Sequence, residues 1–352
     1  MDFDLNDEQR ELRDTARRFL EREAPIAYAR AMMDDERGYR DDVWKQVAEM
    51  GWLELGLPGA HGGFGFIALA IILIEMGRVV FPGPFQSSVL AALAIAEFGS
   101  DEQRAKYLPR VTAGDVIATF AHEGRVDVEG STLKGTRKFV TDGHIAELVV
   151  TPAHLSGDDA WLVIAEPVRR DPTTLIDSTT KVADLSFDGA AFERLGATTR
   201  ADIHWVLRHG AVMQSAVMLG ASERVLELST EYAKQRVQFG KPIGSFQAIK
   251  HRAADMLVDV ESMRNAVYYA AWALERAHPD AALGASMAKA CASDAAPRVA
   301  AGGIQIHGGI GFTWEADLHL YFKRATAAAA LFRDAVFHRE VIAGILRARA
   351  AG

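Results

Sequence analysis

Between residues 246 and 274 the apolar positions Phe246, Ile249, Ala253, Met256, Val260, Met263, Val267, Ala271 and Leu274 recur in steps of three and four. That spacing predicts a long helix with one buried stripe. Helical patterning runs from about residue 200 to the end, and three or four such helices joined by short turns make an up-down bundle. Residues 1–112 also read as helices. Asn6 with Gln9, and Ser100 with Gln103, have capping-box spacing ahead of amphipathic runs. "DVWKQVAEMGWLEL" and "FIALAIILIEMGRVV" are further helical segments, the second apolar on nearly all sides and so buried. "GLPGAHGGFGF" is a Gly-rich connector. Residues 113–195 change period: "VIATFAH", "STLKGTRKFVTDG", "AELVVTP", "AWLVIAE" and "KVADLSF" read as strands of a small antiparallel sheet or barrel. The pattern predicts an α+β chain, mostly α. An N-terminal helical domain (1–112) precedes a small middle β domain (113–195) and a C-terminal four-helix bundle (196–352).

Composition narrows the function classes. The chain has 352 residues, 49% hydrophobic and 24% charged, which suits a globular protein of more than one domain. A net charge of -8 argues against nucleic acid, whose binders need a positive field. No run approaches the roughly 18 apolar residues of a membrane span. The acidic, amphipathic start is unlike a secretory signal, and a cytoplasmic location is expected. A single cysteine, Cys291, excludes an internal disulfide and a multi-cysteine metal site. In the Ala-rich run "GASMAKACASDAA" it reads as a small buried thiol.

Two segments carry more chemistry than their local structure requires. In "KQRVQFGKPIGSFQAIKHRAADM" (234–256), Gly-Lys-Pro-Ile-Gly explains a tight reversal between antiparallel helices. The Arg, Gln and Phe just before it are not needed for a turn and point to a ligand. "GGIQIHGGIGFTWE" (302–315) fails the dinucleotide G-x-G-x-x-G pattern because position 314 is Trp, and it follows a helix rather than a strand. It reads either as a helix C-terminal turn or as a loop whose backbone N–H groups approach a phosphate. His61, His122, His251, His307 and His338 are dispersed and make no metal pair, and no nucleophile elbow is present.

Together these stretches resemble the acyl-CoA dehydrogenase family over nearly the whole chain. The matching segments are "DEQRELRDTARRFL", "LPGAHGGFGF", "GSDEQRAKYLPRVTAGD", "GTRKFVTDG", "RVQFGKPIGSFQAIKHRAADM" and "GGIQIHGGIGFT". The resemblance implies the same order of helical, β and bundle domains, and FAD as cofactor. It implies that Arg236, Gln238, Phe239, Ile243, Phe246 and Gln247 reach across a subunit interface to a neighbour's FAD. Gln305 and Gly309 match residues on the adenosine side, and Phe139 and Thr141 match an aromatic and a Thr that flank the flavin ring. The implied reaction removes the α-proton of an acyl-CoA thioester with a carboxylate base and passes the β-hydride to flavin. An electron-transfer acceptor protein is implied as partner.

The chain also departs from the family. Ungapped alignment puts Phe332 where the family's usual Glu base stands. In a second branch the Glu lies on the first bundle helix, and that position is Gly210, followed by Ala211 in place of a substrate-binding Arg. Asp334 is the nearest carboxylate, but two helical positions turn a side chain by about 200°. "FAHEGRVDVEGSTLKG" keeps Glu123, has Gly124 for a Pro, and omits an Ala-Gly-Ser-Asp and most of a hairpin. The favoured expectation is a subunit paired with a complete catalytic homologue in a heterotetramer, as in bacterial members acting on bulky substrates such as steroid side chains. The alternatives are a self-sufficient homotetramer using Asp334 as base, and a non-catalytic scaffold.

Overall fold

The computed structural model describes residues 5–59, 64–155 and 159–351. Residues 60–63 of the Gly-rich connector, His61 among them, lie outside the described residues. Six helices come first: α1 (Asp7–Glu23), α2 (Ile26–Met33), α3 (Asp41–Glu49), α4 (Phe66–Arg78), α5 (Phe85–Phe98) and α6 (Asp101–Thr112). Both capping boxes form. Asn6 accepts the Gln9 N–H at 2.8 Å while the Gln9 side chain accepts the Asn6 N–H at 3.1 Å, and Ser100 and Gln103 repeat the exchange. α4 is buried on nearly every side, as its pattern predicts, yet it carries Glu75 at 2% exposure. A buried carboxylate needs a counter-charge and hydrogen bonds. Arg17 supplies both through Nε and Nη2 at 2.9 and 2.8 Å.

The middle of the chain forms strands β1 (Ala118–Phe120), β2 (Gly124–Glu129), β3 (Thr132–Thr141), β4 (Leu148–His154), β5 (Ala160–Ala165), β6 (Arg169–Thr173), β7 (Val182–Ser186) and β8 (Ala190–Arg194). Their order is β1-β4-β5-β8-β3-β7-β6, with β2 beside β3 and β4. The expected antiparallel sheet is corrected here, because β1 runs parallel to β4 and β2 makes one parallel bridge to β4. β2, β6 and β8 escape the sequence pattern because few of their positions are buried, so apolar alternation is weak. Val126, Leu133, Val149, Val163, Leu185 and Phe187 make the sheet's core. Arg137 on β3 is buried with them at 1% exposure, donating to Thr151 Oγ1 at 2.8 Å and to the His122 and Gly124 carbonyls. Burial draws its pKa down to about 10.

The remainder is helical: α7 (Arg200–Gln235), α8 (Gln247–Glu275), α9 (Ala281–His307), α10 (Leu318–Ala330) and α11 (Ala335–Ala351). α8 matches the predicted stripe, with Met256, Val260, Met263, Val267 and Ala271 buried. Its first positions, Phe246, Ile249 and Ala253, are only half-buried. Three long helices form the bundle, and in place of a single fourth helix α10 and α11 both pack on α9. The chain divides into two compact units, residues 1–29, 70–81 and 211–352 in one and residues 30–69 and 82–210 in the other. No helix among the described residues is long and apolar enough to cross a membrane.

Candidate functional site

α7 ends in a small hairpin of two-residue strands, β9 (Val237–Gln238) and β10 (Lys241–Pro242). Lys241 pairs with Gln238 and Pro242 with Val237, and Arg236 closes the hairpin by accepting the Ile243 N–H at 2.8 Å. The two turn residues, Phe239 and Gly240, have φ of 53° and 77°. Positive φ at both central positions is the I′ geometry that suits hairpin twist. Gly adopts it without cost, whereas a bulky side chain there is strained. Phe239 is also 90% exposed. An apolar ring held in a strained backbone and left in water gains little from the described residues around it.

Neighbouring side chains complete the surface. Phe239 and Phe246 meet edge to face at 6.1 Å, and Lys241 Nζ lies 4.6 Å over the Phe246 ring. Gln238 and Gln247 are exposed and Ile243 is half-buried. Arg236 is exposed and makes no ion pair among the described residues. Its permanent charge and fork of donors are therefore open to an outside anion.

The second segment begins at the end of α9. Gln305 is exposed on the last turn, and Gly308 caps the helix with φ of 65°. Gly311 is required by packing, since a Cβ there would stand 2.7 Å from the Ile304 carbonyl oxygen. Gly309 is different: its φ is ordinary, and an added Cβ would meet nothing within 4 Å. Nothing among the described residues demands glycine at 309, and close approach of a ligand to the backbone would. Phe312 beside it is 77% exposed. The structure brings the 236–247 and 305–312 segments together, because Tyr232 near the end of α7 stacks on His307 at the end of α9, centroids 4.3 Å apart.

Phe139 and Thr141 lie on β3, in the other compact unit. The β3–β7 register shifts between Arg137 and Val140, and Phe139 takes φ of 50° with its ring 49% exposed. Asp184 on β7 fixes this bulge, accepting the Phe139 N–H at 3.0 Å and the Lys138 ammonium at 2.7 Å. Those two hydrogen bonds hold its carboxyl below the usual range against the opposing pull of burial, the largest single effect. Thr141 is half-buried, and its carbonyl accepts from the Thr119 hydroxyl at 2.7 Å.

The positions aligned with the base hold no proton acceptor. Phe332 and Arg333, in the turn between α10 and α11, both have positive φ, 55° and 73°. Two buried side chains lock that turn. Lys289 Nζ donates to Ser293 Oγ, the Ala329 carbonyl and the Arg333 carbonyl at 2.8, 2.9 and 3.0 Å. His338 Nε2 donates to the Phe332 carbonyl at 2.9 Å. Burial pushes the Lys289 ammonium down to about 7. Asp334 is exposed and caps α11, its Oδ1 accepting the Phe337 N–H at 2.9 Å. Gly210 is buried inside α7 next to His209, whose ring stacks on Trp205 at 3.6 Å. Burial drives the His209 pKa down to about 3, so this imidazole is neutral. Cys291 is partly buried, which raises its pKa and leaves it a poor nucleophile.

Family models match two long stretches: the acyl-CoA dehydrogenase N-terminal domain over residues 6–115 and the acyl-CoA dehydrogenase C-terminal domain over residues 201–342. The chain is 34% identical to acyl-CoA dehydrogenase IpdE2 of Mycobacterium tuberculosis, covering 93% of this chain and 94% of the relative. The chain belongs to the acyl-CoA dehydrogenase family. Among solved structures, a variant of the Tcur3481-Tcur3483 steroid ACAD superposes with a TM-score of 0.90 at 29% identity, over 98% of this chain and 99% of that one. The ChsE4-ChsE5 complex from Mycobacterium tuberculosis gives 0.89 at 27% identity, over 99% of both chains. Acyl-CoA dehydrogenases are FAD-dependent oxidoreductases acting on CH–CH groups. The residues present fit that cofactor: an unpaired guanidinium for a diphosphate, exposed aromatic rings for a flat heterocycle, and a glycine with open space for a close backbone approach.

The sequence singles out the two segments but not Tyr232 and His307, which join them, nor Asp184, which fixes the Phe139 bulge, nor Lys289 and His338, which hold the base-aligned turn. His307 and His338 were visible only as scattered histidines. Lys289 sits in an Ala-rich run, and nothing local shows that two carbonyls from later in the chain, those of Ala329 and Arg333, converge on it.

Proposed function

We propose that this chain is a subunit of a heteromeric acyl-CoA dehydrogenase, contributing the Arg236 and Gly309 segments to the FAD of a homologous catalytic partner. The observation that carries the reading is the contrast between two halves of a site. Arg236 is unpaired and Phe239 is strained and exposed, while Phe332 and Gly210 occupy the aligned base positions. The solved relatives named for the Tcur3481-Tcur3483 and ChsE4-ChsE5 pairs support a heteromeric assembly. The substrate class is a bulky acyl-CoA, and the steroid ACAD relative supports a steroid side chain.

In this reading Arg236 donates to the diphosphate oxygens, Phe239 covers apolar cofactor surface, and Gln305 with the Gly309 backbone meets the adenosine end. FAD, when bound, supplies the hydride acceptor. The proton-abstracting carboxylate comes from the partner, because this chain's own turn at 329–334 is committed to hydrogen bonds with Lys289 and His338. The self-sufficient alternative needs Asp334 as base. That carboxylate already caps α11 and is exposed, where a base for an α-proton works in a water-poor pocket.

Arg236→Ala is expected to lower the FAD content of the assembled oligomer several-fold with little change in thermal stability, since Arg236 is exposed and its side chain has no ion-pair partner among the described residues. Flavin absorbance per protein, measured after gel filtration, checks this. Unchanged occupancy would remove Arg236 from the site.

A further inference from the structure

The two arms proposed to grip FAD leave neighbouring helix ends, and one ring pair joins them. Tyr232 and His307 lie nearly parallel, 4.3 Å between centroids and 22° between planes. The Tyr232 carbonyl accepts the Arg236 N–H at 2.8 Å, so the hairpin is tied to the residue that makes the stack. His307 is bonded directly to Gly308, the first residue of the glycine turn. Its Nδ1 lies 2.8 Å from the Gly303 carbonyl, which can only accept, so Nδ1 carries the proton. Gly303 in turn lets the helices close up: a Cβ there would stand 2.4 Å from Val225 and 3.0 Å from the Ser229 hydroxyl on α7. The imidazole is therefore fixed in tautomer and plane by α9 and in distance by α7.

We propose that His307, through its stack on Tyr232, is the positioning residue that holds the Arg236 hairpin and the Gly308–Phe312 turn at one separation, making them a single two-armed clamp for the ADP part of a dinucleotide. This rests on the FAD reading above. Burial draws the imidazole's pKa below its ordinary value, which disfavours a charged ring and is consistent with a stacking role. His307 touches neither substrate nor reacting atoms in this account.

The test measures the FAD dissociation constant of the assembled apo-oligomer by quenching of flavin fluorescence, with oligomer size followed by light scattering. An aromatic pair contributes about 0.5–1.5 kcal/mol, so His307→Ala should weaken FAD binding by about two- to tenfold at unchanged oligomer size. His307→Phe keeps a flat ring against Tyr232 and should restore affinity to within about twofold, which loss of a generic helix-end contact would not. Wild-type affinity in His307→Ala, or no rescue by His307→Phe, overturns the clamp. Arg236→Ala runs alongside. If it binds FAD normally, the FAD reading itself has failed; if it is weakened while His307→Ala is not, only the positioning role is wrong. Should His307→Ala fail to assemble, Tyr232→Leu removes the other ring, and there weakened binding supports the clamp and wild-type binding overturns it.

Discussion

Purified without a partner, this chain is expected to dehydrogenate acyl-CoA at least about a hundredfold more slowly than a family member that carries its Glu, because a missing general base typically costs about 10²–10⁴ in rate. The deficit has a structural basis beyond the residue identity. The Phe332 turn is held in left-handed backbone by Lys289 and His338, and Gly210 is sealed in α7 beside a neutral histidine. Only residues 121–123 lie between β1 and β2, and Arg137 binds the His122 carbonyl within that link and the Gly124 carbonyl just after it. Phe332→Glu alone should therefore restore little, since the carboxylate would enter a strained turn and the shortened β-domain segment would still misplace a thioester. Steady-state turnover with a panel of acyl-CoA esters checks this. Full activity of Phe332→Glu would show that the rest of the site is complete.

The second large effect concerns folding. Gly220→Ala is expected to lower thermal stability sharply, by about 3 kcal/mol or more, the upper end for overpacking. A Cβ at Gly220 would fall 1.8 Å from the Ile74 carbonyl oxygen, and one at Gly77 2.2 Å from that of Val217. These reciprocal contacts join α4 to α7 backbone to backbone, so neither side can yield by rotating a side chain. The sign is diagnostic. In an ordinary helix interior Gly→Ala stabilises by about 1 kcal/mol, so a melting temperature at or above wild type would show that the helices are not in contact. A fall of several degrees, or loss of soluble protein, is the expected result.

What the sequence disclosed follows from where each signal resides. The capping boxes at Asn6 and Ser100 and the stripe on α8 are local in the chain, and all three stand in the structure. β2, β6 and β8 carry few buried side chains, so alternation had little to register. Glu75 sits in a run that reads as apolar on nearly all sides, and its partner Arg17 lies far away on α1. Gly77 and Gly220 are ordinary helix glycines until two backbones are brought together. At the candidate site, Arg236 and Phe239 stand out in the sequence because a turn does not need them, whereas Gly309 is marked only by the family resemblance. The strain at Phe239, the open space beside Gly309 and the Tyr232–His307 stack arise only in the folded chain and leave no mark in the local sequence. The turn at Phe332 is the sharpest case: the residue was visible as a departure, while the Lys289 latch beneath it was not.

The central claim is that this chain supplies one half of a FAD site and takes its base from another polypeptide. Flavin stoichiometry in the complex with a co-expressed, Glu-bearing homologue tests it most directly. The account predicts fewer than one FAD per chain, together with acyl-CoA-dependent bleaching that the chain alone does not show. One FAD per chain in the homomer, reduced by acyl-CoA and no longer reduced in Asp334→Asn, would contradict it.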